Sequence, residues 1–95
     1  MCIHSVLSYE WDPRKAQSNH AKHGVRFSDA TSVFSDPGAL TITDDDLREE
    51  RYVTMGHDGA GRLLVVVYTW RGEDLVRLIS ARKATRTEAQ AYYVS

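Results

Sequence analysis

One cysteine, two prolines and six glycines are spread over 95 residues. The lone cysteine, Cys2, excludes a disulfide framework, and nothing points to an oxidising compartment. Next to Met1, it is a weak candidate nucleophile. No apolar run approaches the ~20 residues of a membrane span. The opening "MCIHSVLSYEWD" lacks the basic start and long apolar core of a secretion signal, so a soluble, cytoplasmic protein without membrane contact is expected. A phosphate-cradling Gly-rich loop, a CxxC pair and a GxSxG elbow are also missing. Net charge is scarce too, at −1.

That small net charge hides a segregation. Between Asp29 and Glu50 stand seven acids (Asp29, Asp36, Asp44, Asp45, Asp46, Glu49, Glu50) against one base, Arg48. Between Arg62 and Arg86 stand six bases (Arg62, Arg71, Arg77, Arg82, Lys83, Arg86) against Glu73 and Asp74. A local basic face can bind a polyanion although the whole molecule is nearly neutral; the plainer alternative is a solvated surface. Hydrophobic residues make up 42% of the chain, enough for one thin core, and a single domain over 1–95 is expected.

The pattern predicts the order β-α-α-β-β-β-β-α. "VLSYEW" reads as a first strand. Asp12 then caps a helix with Pro13 in its first turn, which ends at Gly24. Ala16 and Ala21 are this helix's only apolar residues, so it either lies loosely on the surface or uses its polar side chains. Ser28 is placed to cap a second short helix whose Ala30, Val33 and Phe34 face the core. "ALTIT", "RYVTMGH", "RLLVVVYTW" and "LVRLISARK" read as strands, the middle pair joined through "DGAG". Thr85 and Glu88 form a T-x-x-E capping box that opens a last helix through Tyr92 and Tyr93. An α+β domain follows: a small antiparallel sheet with two N-terminal helices and one C-terminal helix packed on it.

The last strand carries its cations among apolar residues. In regular alternation Arg77 and Lys83 share one face and Arg82 takes the other, so Arg77 and Arg82 meet on a face only if a bulge intervenes, for which "SAR" is a reasonable place. Without one, Arg82 and Lys83 diverge, one pairing with an acid while the other reaches a ligand. Arg77 either pairs with an acid on a neighbouring strand or joins that group. Guanidinium forks bind phosphate oxygens in pairs and keep their charge, but they move protons poorly. Proton transfer falls to His20, Lys22, His23, Glu49, Glu50, His57 or a tyrosine. His20 and His23 lie three apart on a helix, but no third metal ligand stands at a recognisable spacing. Trp11 and Trp70 are either core and edge residues or stacking surfaces for bases.

Several ordered motifs give a family resemblance. They are W-D-P-x-K from Trp11, N-x-x-K-H-G-V from Asn19, F-x-x-A-x-x-V-F-x-D-P from Phe27, E-E-R from Glu49, G-R-x-L-x-V-V from Gly61, and R-x-I-S-A-R-x-A from Arg77. In that order and spacing, from Tyr9 to about Tyr93, the chain resembles the BrnT toxins. The resemblance implies a RelE-like fold and a bacterial ribonuclease toxin of a type II toxin–antitoxin system. It implies RNA cleavage without a metal or other cofactor, through the ribose 2′-OH. The implied partner is a ribbon-helix-helix antitoxin, with operator DNA reached only through it. Arg82 and Lys83 match the family's basic pair and are expected to bind phosphate and stabilise transition-state charge, with Arg77 in a secondary place. Lys22 and His23 match "KHG", as an electrostatic contact and a proton-transfer group. Glu50 and Arg51 match "EER", where the carboxylate acts as base or orients an arginine. Trp11 is expected to contact substrate. The competing expectation is a non-catalytic module that binds nucleic acid or protein through the same basic surface.

Overall fold

A computed structural model of the chain describes residues 7–44 and 51–94. Cys2 and the segment 45–50, with Glu49 and Glu50, lie outside the described residues. The elements are β1 (Ser8–Glu10), α1 (Pro13–His23), α2 (Phe27–Ala30), a 3-10 turn (Thr31–Ser35), β2 (Leu40–Asp44), β3 (Arg51–His57), β4 (Leu63–Trp70), β5 (Leu75–Lys83) and α3 (Arg86–Val94). Their order is the one the sequence predicts.

The sheet runs β1-β5-β4-β3-β2. Strands β2 to β5 form an antiparallel meander, as expected, whereas β1 lies parallel to β5, with Tyr9 opposite Val76. The antiparallel expectation is corrected at this edge. The chain leaves β1 through α1 and returns at β2 on the far edge, so β1 is free to pair with β5 in the parallel sense. One face of the sheet carries the core: Leu64, Val66, Tyr68, Val76, Leu78 and Ala81 pack against Val25, Phe27, Ala30 and Val33. Phe34 stands edge-on to Tyr68, with ring centroids 4.8 Å apart.

Asp12 caps α1 by accepting from the Arg14 N–H at 2.9 Å, and Gly24 closes it at φ 71°, in the left-handed region that glycine enters without strain. The second helix starts earlier than expected. Arg26, not Ser28, precedes its first turn, because Val25 and Phe27 must both be buried and the turn begins on Phe27. The segment then tightens into the 3-10 turn rather than continuing as one α-helix. Ala30, Val33 and Phe34 face the core as the spacing implies.

Helix α3 buries no side chain among the described residues and is held at both ends by polar contacts. At its start the capping box forms: Glu88 N–H donates to Thr85 Oγ1 at 3.2 Å, and Thr85 N–H donates to Glu88 Oε1 at 2.9 Å. At its end the Tyr92 hydroxyl donates to Asp36 Oδ2 at 2.7 Å, and its oxygen lies 3.2 Å from His57 Nδ1. Asp36 also accepts from the backbone N–H of His57 at 2.8 Å.

Candidate active site

Strand β5 positions the cations, and a bulge decides where they face. Val67 pairs with Ser80 and Tyr68 with Leu78, so Ile79 is the extra residue. Skipping Ile79, the buried series is Val76, Leu78, Ala81, while Arg77, Ser80 and Arg82 stand opposite Thr69, Val67 and Val65 on the other face. The bulge thus falls just before the "SAR" expected to hold it, and it puts Arg77 and Arg82 on one face.

Sharing a face does not bring the two arginines together. At about 3.3 Å per residue, some 13 Å of strand separate them. Arg77 Nη1 donates to Glu10 Oε2 on β1 at 2.9 Å, the ion pair that is the plainer reading of its sequence position. Arg71 lies 4.0 Å from the same carboxylate. Arg51 is exposed at the start of β3. Trp11 packs edge-on to core Phe27, at 5.9 Å between centroids, and lines a shallow cleft with His20 and Arg26, away from Lys22. Glu50 lies outside the described residues.

Lys22 and His23 do meet β5. They line, with Lys15, Ser18, Asn19, Ala21, Ile79 and Ser80, an open cleft of about 450 Å³ between α1 and the strand. Asn19 builds it. Only the first residues of β5 pair with β1, so Ala81 presents its backbone to α1. Asn19 Oδ1 accepts from Ala81 N–H at 3.1 Å, and Nδ2 donates to Ala81 O at 2.8 Å and to Val25 O at 3.0 Å. The amide replaces a strand partner, which answers how so polar a helix is fixed. Arg62, held by Asp58 at 2.9 Å, reaches the Gly24 carbonyl at 3.4 Å and ties the end of α1 to the β3–β4 hairpin. Burial pushes the Asp58 carboxyl up, but bonds from the Arg62 backbone and guanidinium together leave it below the usual carboxylate range.

Arg82, two residues beyond Ser80, meets Glu88 in a two-pronged ion pair, Nη1 to Oε1 at 2.7 Å and Nη2 to Oε2 at 2.8 Å. Its guanidinium is the main cause that lowers the Glu88 carboxyl to about 2, against a smaller upward push from burial, and the carboxylate in turn raises Arg82. Lys83 is exposed and forms no ion pair among the described residues. Even with the bulge in place, the two neighbouring cations differ: Arg82 pairs with an acid and Lys83 is open to solvent. Sequence reasoning overlooked Asn19, Lys15 and Ser80, and read Glu88 only as a cap. Asn19 carried one signal, an amide side chain in the middle of a helix with few apolar residues.

Residues 11–88 match the profile of a family described as ribonuclease toxin, BrnT, of type II toxin–antitoxin system. The chain belongs to the BrnT family. The match starts at Trp11 and ends on Glu88, so it contains both walls of the cleft and the whole Arg82–Glu88 pair. Among solved structures, the chain is similar to the BrnT ribonuclease toxin of Brucella abortus, a crystal structure at 1.1 Å resolution. The two share 26% identity and superpose with a TM-score of 0.63 over 85% of this chain and 96% of the other. No curated protein sequence matches it. The α+β BrnT fold and membership of a ribonuclease toxin family thus rest on sequence and structure together. No helix among the described residues is long and apolar enough to cross a membrane.

Proposed function

We propose that this BrnT protein is a metal-independent endoribonuclease that cleaves RNA by attack of a ribose 2′-OH on the adjacent phosphorus. The 2′-oxygen gives up its proton and bonds to phosphorus, the P–O5′ bond breaks, and the O5′ leaving group takes a proton. The products are a 2′,3′-cyclic phosphate and a 5′-OH end. Lys22 and Lys83 neutralise the approaching RNA backbone. Arg82 stabilises the charge that develops on the phosphorane oxygens, where prearranged donors contribute most. His23 moves a proton, a task suited to imidazole near neutral pH. Arg77, Arg51 and Trp11 take secondary places along the bound strand.

The observation that carries this reading is the placement of Lys22 and His23 in one cleft with Ser80, which shares its face of β5 with Arg82. Cations stand there beside a proton-transfer group, as acid–base cleavage of a phosphodiester requires. The reading also includes a cytoplasmic setting and neutralisation by a ribbon-helix-helix antitoxin, through which alone operator DNA is met.

The test is cleavage of free RNA by purified protein in chelator, beside an Arg82→Ala variant shown to be folded. Cleavage with cyclic phosphate ends that is lost in the variant supports the reading. RNA bound but intact, with ribosomes present as well as absent, would instead mark a non-catalytic binding module. Added antitoxin should abolish the cleavage.

A further inference from the structure

We infer that Glu88 is a positioning residue for Arg82: it holds one edge of the guanidinium so that the other is presented to a phosphate. The inference rests on the reading of Arg82 as a phosphate ligand and adds how that ligand is aimed.

A guanidinium has two edges able to make paired hydrogen bonds, the Nη1/Nη2 end and the Nε/Nη2 side. Glu88 occupies the end with both its oxygens, at 2.7 and 2.8 Å. The other Nη1 hydrogen is directed to the Lys83 carbonyl, at 3.3 Å. The Nε hydrogen and the second Nη2 hydrogen donate no such bond among the described residues, and they lie on the same edge. That edge matches two phosphate oxygens. The side chain of Arg82 is 38% exposed.

Glu88 is itself fixed. Its Oε1 also accepts from Thr85 N–H, and its own N–H donates to Thr85 Oγ1. The capping box thus locks the carboxylate, and the carboxylate orients the arginine. A free arginine on a strand end would sample many rotamers, and placing a reacting group wrongly by about 1 Å can cost about a hundredfold in rate. A competing role is available to the same contact. If Glu88 merely sequesters Arg82 from RNA, removing its charge should speed cleavage.

Glu88→Gln separates the two, because glutamine keeps the length of the side chain and can still accept from Thr85 N–H. A positioning role predicts a kcat lower by between about tenfold and about a hundredfold at nearly unchanged KM. It also predicts that Glu88→Gln has no further effect once Arg82 is alanine, a coupling that a purely structural role would not show. Unchanged or faster cleavage by Glu88→Gln overturns the inference, and so does an equal loss with Arg82 already removed. A second measurement needs no cleavage: the Arg82 Nε–H resonance of the full chain, titrated with a 2′-O-methylated oligoribonucleotide. It should shift on binding in the parent and not in Glu88→Gln. A shift in a protein that never cuts RNA would overturn the nuclease reading and leave the aiming of Arg82 intact; no shift in the parent overturns the aiming itself.

Discussion

Replacing Asn19 by alanine should be among the most damaging single changes outside the apolar core. The side chain is only 7% exposed and makes three hydrogen bonds, all to backbone groups: Ala81 N–H, Ala81 O and Val25 O. Truncation leaves all three without that partner. A buried polar group left unpaired costs about 1–3 kcal/mol, and the carbonyls keep a second lone pair, so the low half of the sum applies, about 3–6 kcal/mol. Total stability for a chain of this length is about 5–14 kcal/mol. The melting temperature should therefore fall by at least about 12 °C, at about 4–8 °C per kcal/mol. Thermal and urea unfolding followed by circular dichroism measure it. Asn19→Asp sharpens the test. The carboxylate still accepts from Ala81 N–H but turns negative charge on two carbonyls, so its pKa in the folded state is raised. Such a group binds more protons folded than unfolded, so the variant should recover stability as pH falls through its raised folded pKa, with the recovery complete once pH is below the ordinary aspartate value near 4. A loss under about 1 kcal/mol in Asn19→Ala would refute the claim that this amide fixes α1 to β5.

Other outcomes follow from the same geometry. Arg82→Ala should slow RNA cleavage by at least about a hundredfold, whereas Arg77→Ala, whose guanidinium is engaged by Glu10, should slow it far less; initial rates compare them. Gly56→Ala should destabilise by about 1–3 kcal/mol in urea unfolding, because its Cβ would stand 3.1 Å from both Asp36 Oδ2 and Val33 Cγ1 and 3.2 Å from Ala39 Cβ. Acid should loosen α3 before the sheet. The Glu88 carboxyl is lowered to about 2 chiefly by Arg82, and that of Asp36 to about 2 chiefly by the His57 backbone N–H. Depressed carboxyls contribute stability above their ordinary pKa and lose it as pH falls through the folded value, so α3 amides should exchange faster between about pH 4.5 and pH 2, with β4 still protected.

The elements were legible where local chemistry decides them. Asp12, Pro13 and Gly24 mark both ends of α1, Thr85 and Glu88 mark the start of α3, and "RLLVVVYTW" has the apolar run of a covered strand. The start of α2 was misread because Ser28 has good capping chemistry, yet burial of Phe27 outweighs it. The parallel β1–β5 pair has no local signal, since it depends on where the chain returns after α1. The site shows the same division. Alternation named the face problem of Arg77 and Arg82 and the need for a bulge. It could not fix the bulge on Ile79, because that depends on register against β4. Lys22 and His23 were found from their motif, but what holds them is a contact between residues 62 apart in sequence, Asn19 and Ala81. Trp11 was legible only as an alternative, a core or edge ring or a stacking surface, and one side of its ring packs edge-on to Phe27.

The most direct measurement replaces one ribose. An oligoribonucleotide with a mapped cleavage position is incubated with the protein in chelator, beside the same oligonucleotide carrying a single 2′-deoxyribose at that position. The account predicts that the all-ribose strand is cut to a 2′,3′-cyclic phosphate and that the substituted strand is not cut there. Cleavage of both strands at the same phosphate, or cleavage only when a divalent metal is restored, would contradict it.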